Sequence, residues 1–132
     1  MSDVDEASGT SQPEIKTILV VEDDADVGEF FVLALKQETS YQSLLVPNGF
    51  EALKLANTIK PDLFVLDYQL PSMNGIELYD HLHAMQGLED VPALFMSANL
   101  PTGELRKRRV YYIKKPFELE ELLQTIEDLL AE

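Results

Sequence analysis

The chain has no cysteine, which rules out a disulfide framework and a thiolate metal site. Cations are scarce: 10 Lys and Arg face 24 Asp and Glu, a formal charge of −14. Such a balance repels nucleic acid, whose binding depends on neutralising phosphates. No apolar run approaches the ~18 residues that cross a bilayer. The opening MSDVDEASGTSQPE lacks both the basic start and the apolar centre of a secretory signal. Neither a membrane nor a nucleic-acid partner is expected, and the cytoplasm is the expected compartment. What remains is 132 residues, 45% of them apolar, enough for one globular domain with a real core.

Residues 1–15 are mostly small or acidic and predict a disordered, mobile tail, with the folded domain over 16–132. KTILVV (16–21) is too short for a helix and predicts a buried strand. Val27, Phe30, Phe31 and Ala34 recur at helical spacing, with Asp24 as N-cap rather than ligand. SLLV (43–46) predicts a second strand, and Phe50, Leu53, Ala56 and Ile59 the stripe of a second helix that Pro61 ends. LFVLD (63–67) is a third strand, and Gly75 opens a helix that buries Ile76, Tyr79, Leu82 and Met85. PALFMSA (92–98) and VYYI (110–113) predict two more strands, and a leucine-rich stripe from Leu119 to Leu130 a last helix. Strands apolar throughout, alternating with helices, predict an α/β fold with a five-stranded parallel sheet covered on both faces.

One connection fits less well. NLPTGELRKRR (99–109) has Leu100 and Leu105 as its apolar residues after Asn99, with Pro101 and Gly103 between them. A short helix with Thr102 as N-cap is possible there, but a wide apolar face is not. The same stretch starts the cationic cluster: Arg106, Lys107, Arg108, Arg109, Lys114 and Lys115 are six of the ten Lys and Arg, within ten positions. It reads either as a solvated turn or as a docking surface for an acidic partner. Lys114 should point away from Lys115, into solvent. His81 and His83 point to different sides of their helix with no third ligand beside them, so they predict no metal site.

In an open parallel sheet, ligands bind outside the carboxyl ends of the strands. Strand one ends in Glu22-Asp23-Asp24, strand three in Asp67, strand four in Ser97 and strand five in Lys114-Lys115-Pro116. If strands one and three are neighbours, the carboxylates converge. Two such charges ~4 Å apart repel by roughly 4 kcal/mol at an effective dielectric of about 20. Protonation or a cation relieves that repulsion; oxygen-only ligands favour a hard ion, and Mg²⁺ needs just one or two carboxylates plus waters and a phosphate. A carboxylate nucleophile, Mg²⁺, a lysine and a hydroxyl together suit phosphoryl transfer. Asp67, Lys115 and Ser97 supply the protein's share of that catalytic set.

ILVVEDD, VLDYQLPSMNG, MSAN and YIKKPF, in this order, resemble the successive motifs of the receiver domain of two-component response regulators. The resemblance spans about residues 16–131. It implies a flavodoxin-like sheet of order 2-1-3-4-5, with Asp67 as phospho-acceptor and Glu22 and Asp23 as the acid pair for Mg²⁺. It also implies the Gln69 carbonyl as a further metal ligand, Ser97 as switch hydroxyl, Tyr112 as switch aromatic and Lys115 as the family's lysine. The implied partners are a histidine kinase or histidine phosphotransfer protein and an unidentified downstream protein, with a homodimer left open. Ser97 and Lys115 are 18 positions apart, several fewer than in the family pattern, and no Gly-Ala precedes the fifth strand. The last helix runs almost to the final residue, so a receiver without an output domain is expected, acting by docking or in a phosphorelay. A rival is an interaction module that never carries phosphate. A phosphatase of the aspartyl type would need an acid just past the nucleophile, where Gln69 stands.

Overall fold

Five short aliphatic runs become strands: β1 (Thr17–Val21), β2 (Gln42–Val46), β3 (Leu63–Asp67), β4 (Ala93–Ser97) and β5 (Tyr111–Lys114). In the computed structural model, which describes residues 15–99, 101–108 and 110–131, all their pairings are parallel, in the order β2-β1-β3-β4-β5. The expected tail lies outside the described residues, apart from the exposed Ile15. The three central strands are buried almost completely, as a sheet covered on both sides requires.

Alternate residues along each strand feed two cores. Leu19, Phe64, Leu66 and Phe95 pack beneath α2 (Gly49–Ile59), α3 (Gly75–His83) and α4 (Thr102–Arg106). Ile18, Val65, Leu94 and Met96 pack beneath α1 (Ala25–Glu38) and α5 (Leu119–Leu130). Caps set where the helices begin. Asp24 Oδ1 accepts from the amides of Asp26 and Val27, at 3.0 and 3.2 Å. Asn74 and Glu77 form a reciprocal capping box at the start of α3. Gly28 lets α1 approach β2: a Cβ there would sit 2.7 Å from the Leu45 side chain.

Several expectations need correction. In α1, Phe31 and Ala34 are buried with Leu35, but Val27 and Phe30 are exposed. The close approach at Gly28 turns the buried face toward that glycine and leaves both side chains outside. In α2 the small residues Ala52 and Ala56 meet the sheet, while Phe50 is exposed. Strand β5 begins at Tyr111, one residue later than expected. Helix α4 does form, but it has five residues, with Pro101 rather than Thr102 at the cap position. Among its described side chains only Leu105 is buried.

Candidate functional site

The register places the acids. Val21 pairs with Leu66, so Glu22, the next residue, comes level with Asp67 at the carboxyl edge of the sheet. The Glu22 amide donates to the Val46 carbonyl at 3.1 Å, which continues the pairing one residue past β1. Glu22 and Asp67 are both buried, while Asp23 is exposed at the rim. One carboxylate oxygen from each of the three lies within 4.8 Å of the others. Gly75 closes the floor of the turn after β3. A Cβ there would approach the Asp67 carbonyl to 2.8 Å, so a side chain would push on the strand end that carries the acid.

Lys115 follows β5 and brings the cation. Its Nζ stands 3.7 Å from Glu22 Oε1 and 3.7 Å from Asp67 Oδ2. At that range the ammonium screens both carboxylates without a hydrogen bond to either. Asp67 Oδ1 accepts from the Gln69 amide at 3.1 Å. Glu22 Oε2 accepts from the Asp24 amide at 3.2 Å, but its buried Oε1 has no hydrogen-bond partner among the described residues. Burial pushes the Glu22 carboxyl up to about 7; the nearby Asp67 charge adds to the rise, while the Asp24 amide and Lys115 oppose it.

Three carboxylates facing one ammonium leave an excess of negative charge, and a buried carboxylate oxygen has no donor. A hard divalent cation fits both features. The donor set is all oxygen, which suits Mg²⁺ and gives no reason to expect a softer metal.

Ser97 ends β4 at the same edge and is buried; its Oγ accepts from the Asn99 amide at 3.2 Å. The Lys115 amide donates to the Ser97 carbonyl at 2.9 Å, which ties the two site strands together. The Lys115–Pro116 peptide is cis, a feature that sequence reading missed. Tyr112 is outside this cluster. It pairs with Phe95 on the face that α4 covers, and is 43% exposed because that helix is so short. Of the basic run, Arg106 and Lys107 are exposed, Arg108 is engaged by Asp80 and Glu104, and Arg109 lies outside the described residues. Lys114 is exposed, as expected. His81 is exposed, and His83 Nε2 lies 3.0 Å from the Val91 carbonyl, so neither joins the acids.

Beside Lys115 an apolar groove of about 570 Å³ opens between α1 and the start of α5. Val27, Phe30, Ala98, Pro116, Phe117 and Leu119 line it. The two α1 residues that miss the core therefore form one wall of a groove next to the acids. Helical spacing alone could not show this, because it marks a stripe as apolar without saying what it faces.

The family model described as the response regulator receiver domain matches residues 18–127. The DNA-binding response regulator MtrA of Mycolicibacterium paratuberculosis is 34% identical over 113 residues, 83% of this chain and 48% of MtrA. The chain thus spans about half the length of the first curated relatives it matches. The polar-differentiation response regulator DivK of Brucella anthropi is 29% identical over 121 residues, covering 89% of this chain and 98% of DivK. The chemotaxis protein CheY4 of Vibrio cholerae superposes with a TM-score of 0.81 over 88% of this chain and 99% of its own, at 22% identity, a likeness of fold.

Proposed function

The chain belongs to the response regulator receiver family, and from that premise we infer that it accepts a phosphoryl group on Asp67 from a phosphohistidine donor. Receivers are regulatory phosphoryl-accepting modules of two-component signalling rather than enzymes with a separate substrate. The observation that carries the reading is the cluster itself: Asp67 buried beside Glu22, with Asp23 completing a three-oxygen set and Lys115 3.7 Å away.

Glu22, Asp23 and Asp67 would hold Mg²⁺, with the Gln69 carbonyl as a further ligand. When bound, the ion supplies charge neutralisation for the phosphoryl oxygens. The chain's own residues do the rest. An Asp67 carboxylate oxygen attacks phosphorus in line; the new O–P bond forms as the P–N bond to the donor imidazole breaks, giving an acyl phosphate. Lys115 sits where a second cation is needed as charge reaches the phosphoryl oxygens. Ser97 offers a hydroxyl from the neighbouring strand end. Its movement toward the phosphoryl group, with repacking of Tyr112, would favour one of two arrangements for partner binding. The apolar groove at Val27, Phe30 and Phe117 opens beside Lys115, where it would seat the donor protein's helix.

The DNA binding in MtrA's description is said of that protein, and the charge of −14 supports no such role for this chain. The five-residue α4 is the one observation that favours a module binding its partner without phosphorylation. Incubation with a small phosphodonor and Mg²⁺ separates the two readings. The phosphoryl-acceptor reading expects added phosphoryl mass in the wild type and none in Asp67→Asn or after chelation. No added mass in the wild type overturns it.

A further inference from the structure

Helix α4 lacks an apolar face to hold it down, and a polar contact takes that place. Arg108, just past the helix, reaches across to α3. Its Nε donates to Asp80 Oδ1 at 2.8 Å and its Nη2 to Asp80 Oδ2 at 2.9 Å, a forked pair. Its Nη1 donates to the Glu104 carbonyl at 2.9 Å and to the Glu104 carboxylate at 3.2 Å. Only 23% of the Arg108 side chain is exposed, so the guanidinium packs between the two helices. With the buried Leu105 it ties this element to the rest of the domain.

The element so anchored is tethered to the site. Residues 98–101 alone separate Ser97 from α4, so a shift of the Ser97 loop toward Asp67 pulls on the helix. In the arrangement described, the Ser97 hydroxyl is turned to its own loop, bonded to the Asn99 amide. Tyr112, on the same face of the sheet as α4, is half exposed.

We propose that the Arg108–Asp80 pair is a latch that holds α4 in this arrangement and so opposes occupation of Asp67 by a phosphoryl group. The proposal rests on the phosphoryl-acceptor reading above. An ion pair whose Asp80 end is half exposed suits the task, since it is strong enough to bias an equilibrium and weak enough to be undone by a local shift. By linkage, whatever factor the latch lends to the resting arrangement is taken from the affinity for the phosphoryl group.

The test is titration of the full chain with beryllium fluoride and Mg²⁺, a phosphoryl mimic, at low salt. Asp80→Ala and Arg108→Ala should each bind the mimic roughly fivefold tighter than the wild type, the upper range for a surface pair. The swapped double variant, Asp80→Arg with Arg108→Asp, should return toward wild-type affinity. Amide exchange across residues 103–107 should quicken in the single variants, while that of β1 and β3 stays unchanged. Single variants that bind the mimic no tighter than a wild type that does bind overturn the latch alone. A swapped variant as tight as the single ones also overturns it. A wild type that fails to bind the mimic overturns the phosphoryl-acceptor reading, and the latch falls with it.

Discussion

The ends of β1 and β3 and the stretch from Ser97 to β5 lie at the same edge of the sheet, but they are built differently. Around Asp67 every strand residue is buried, and the register between Val21 and Leu66 leaves the acids no freedom of position. Around α4 the fold relies on one leucine and a set of surface ion pairs. Chemistry needs fixed geometry, so a rigid region suits the reacting group that the proposed function places at Asp67. Switching needs a small energy gap between arrangements, so the thin region is suited to move.

The largest contrast should come from Asp67→Asn. It is expected to abolish phosphorylation, read by intact mass, while leaving urea unfolding no weaker, because it removes one charge from an acid cluster. Next, Leu66→Ala should cost about 4 kcal/mol in urea denaturation, as a fully buried leucine between strands cannot be replaced by collapse. Leu105→Ala should cost only about 2 kcal/mol, since a five-residue helix can settle onto the gap. Equal losses at the two positions would erase the distinction between the regions.

The Glu22 carboxyl, raised from an ordinary 4.5 to about 7, gives a pH-dependent difference within the rigid region. Its contribution to metal-free stability is fully present below about 4.5 and is lost as pH rises through about 7. Glu22→Gln without metal should therefore gain on the order of 2 kcal/mol relative to wild type at about pH 8, and nothing at about pH 4. Thermal melts in chelator at both pH values measure this. Mg²⁺ should then stabilise the wild type more than the variant, which keeps Asp23 and Asp67.

The smallest effect belongs to the thin region. Arg108 holds the Asp80 carboxyl below its ordinary range, so the pair adds stability above that range and loses it as pH falls through the lowered value. Asp80 is half exposed, so the difference between wild type and Asp80→Ala should stay under about 1 kcal/mol at neutral pH and shrink in acid and in high salt.

The order and type of the elements were legible in the sequence, because aliphatic runs too short for helices alternated with helical stripes. The grouping of Glu22, Asp23, Asp67, Ser97 and Lys115 was legible for the same reason: these residues stand at or just past strand ends, which a parallel fold brings to one edge. The capping box of Asn74 and Glu77 is also readable, as an Asn followed three residues later by Glu. What stayed hidden depends on tertiary geometry. Nothing in residues 80 and 108 announces their pairing across 28 positions. Nor could the spacing of Val27 and Phe30 show that Gly28 rotates α1 and leaves both side chains lining a groove.

The central claim is that Asp67, among all the acids at this edge, forms the bond to phosphorus. Borohydride reduction after phosphodonor treatment converts an aspartyl phosphate to homoserine, and peptide mapping then locates it. The account predicts homoserine at residue 67 in the Mg²⁺-treated wild type and none after chelation. Homoserine at residue 23, or at any acid other than 67, would contradict it.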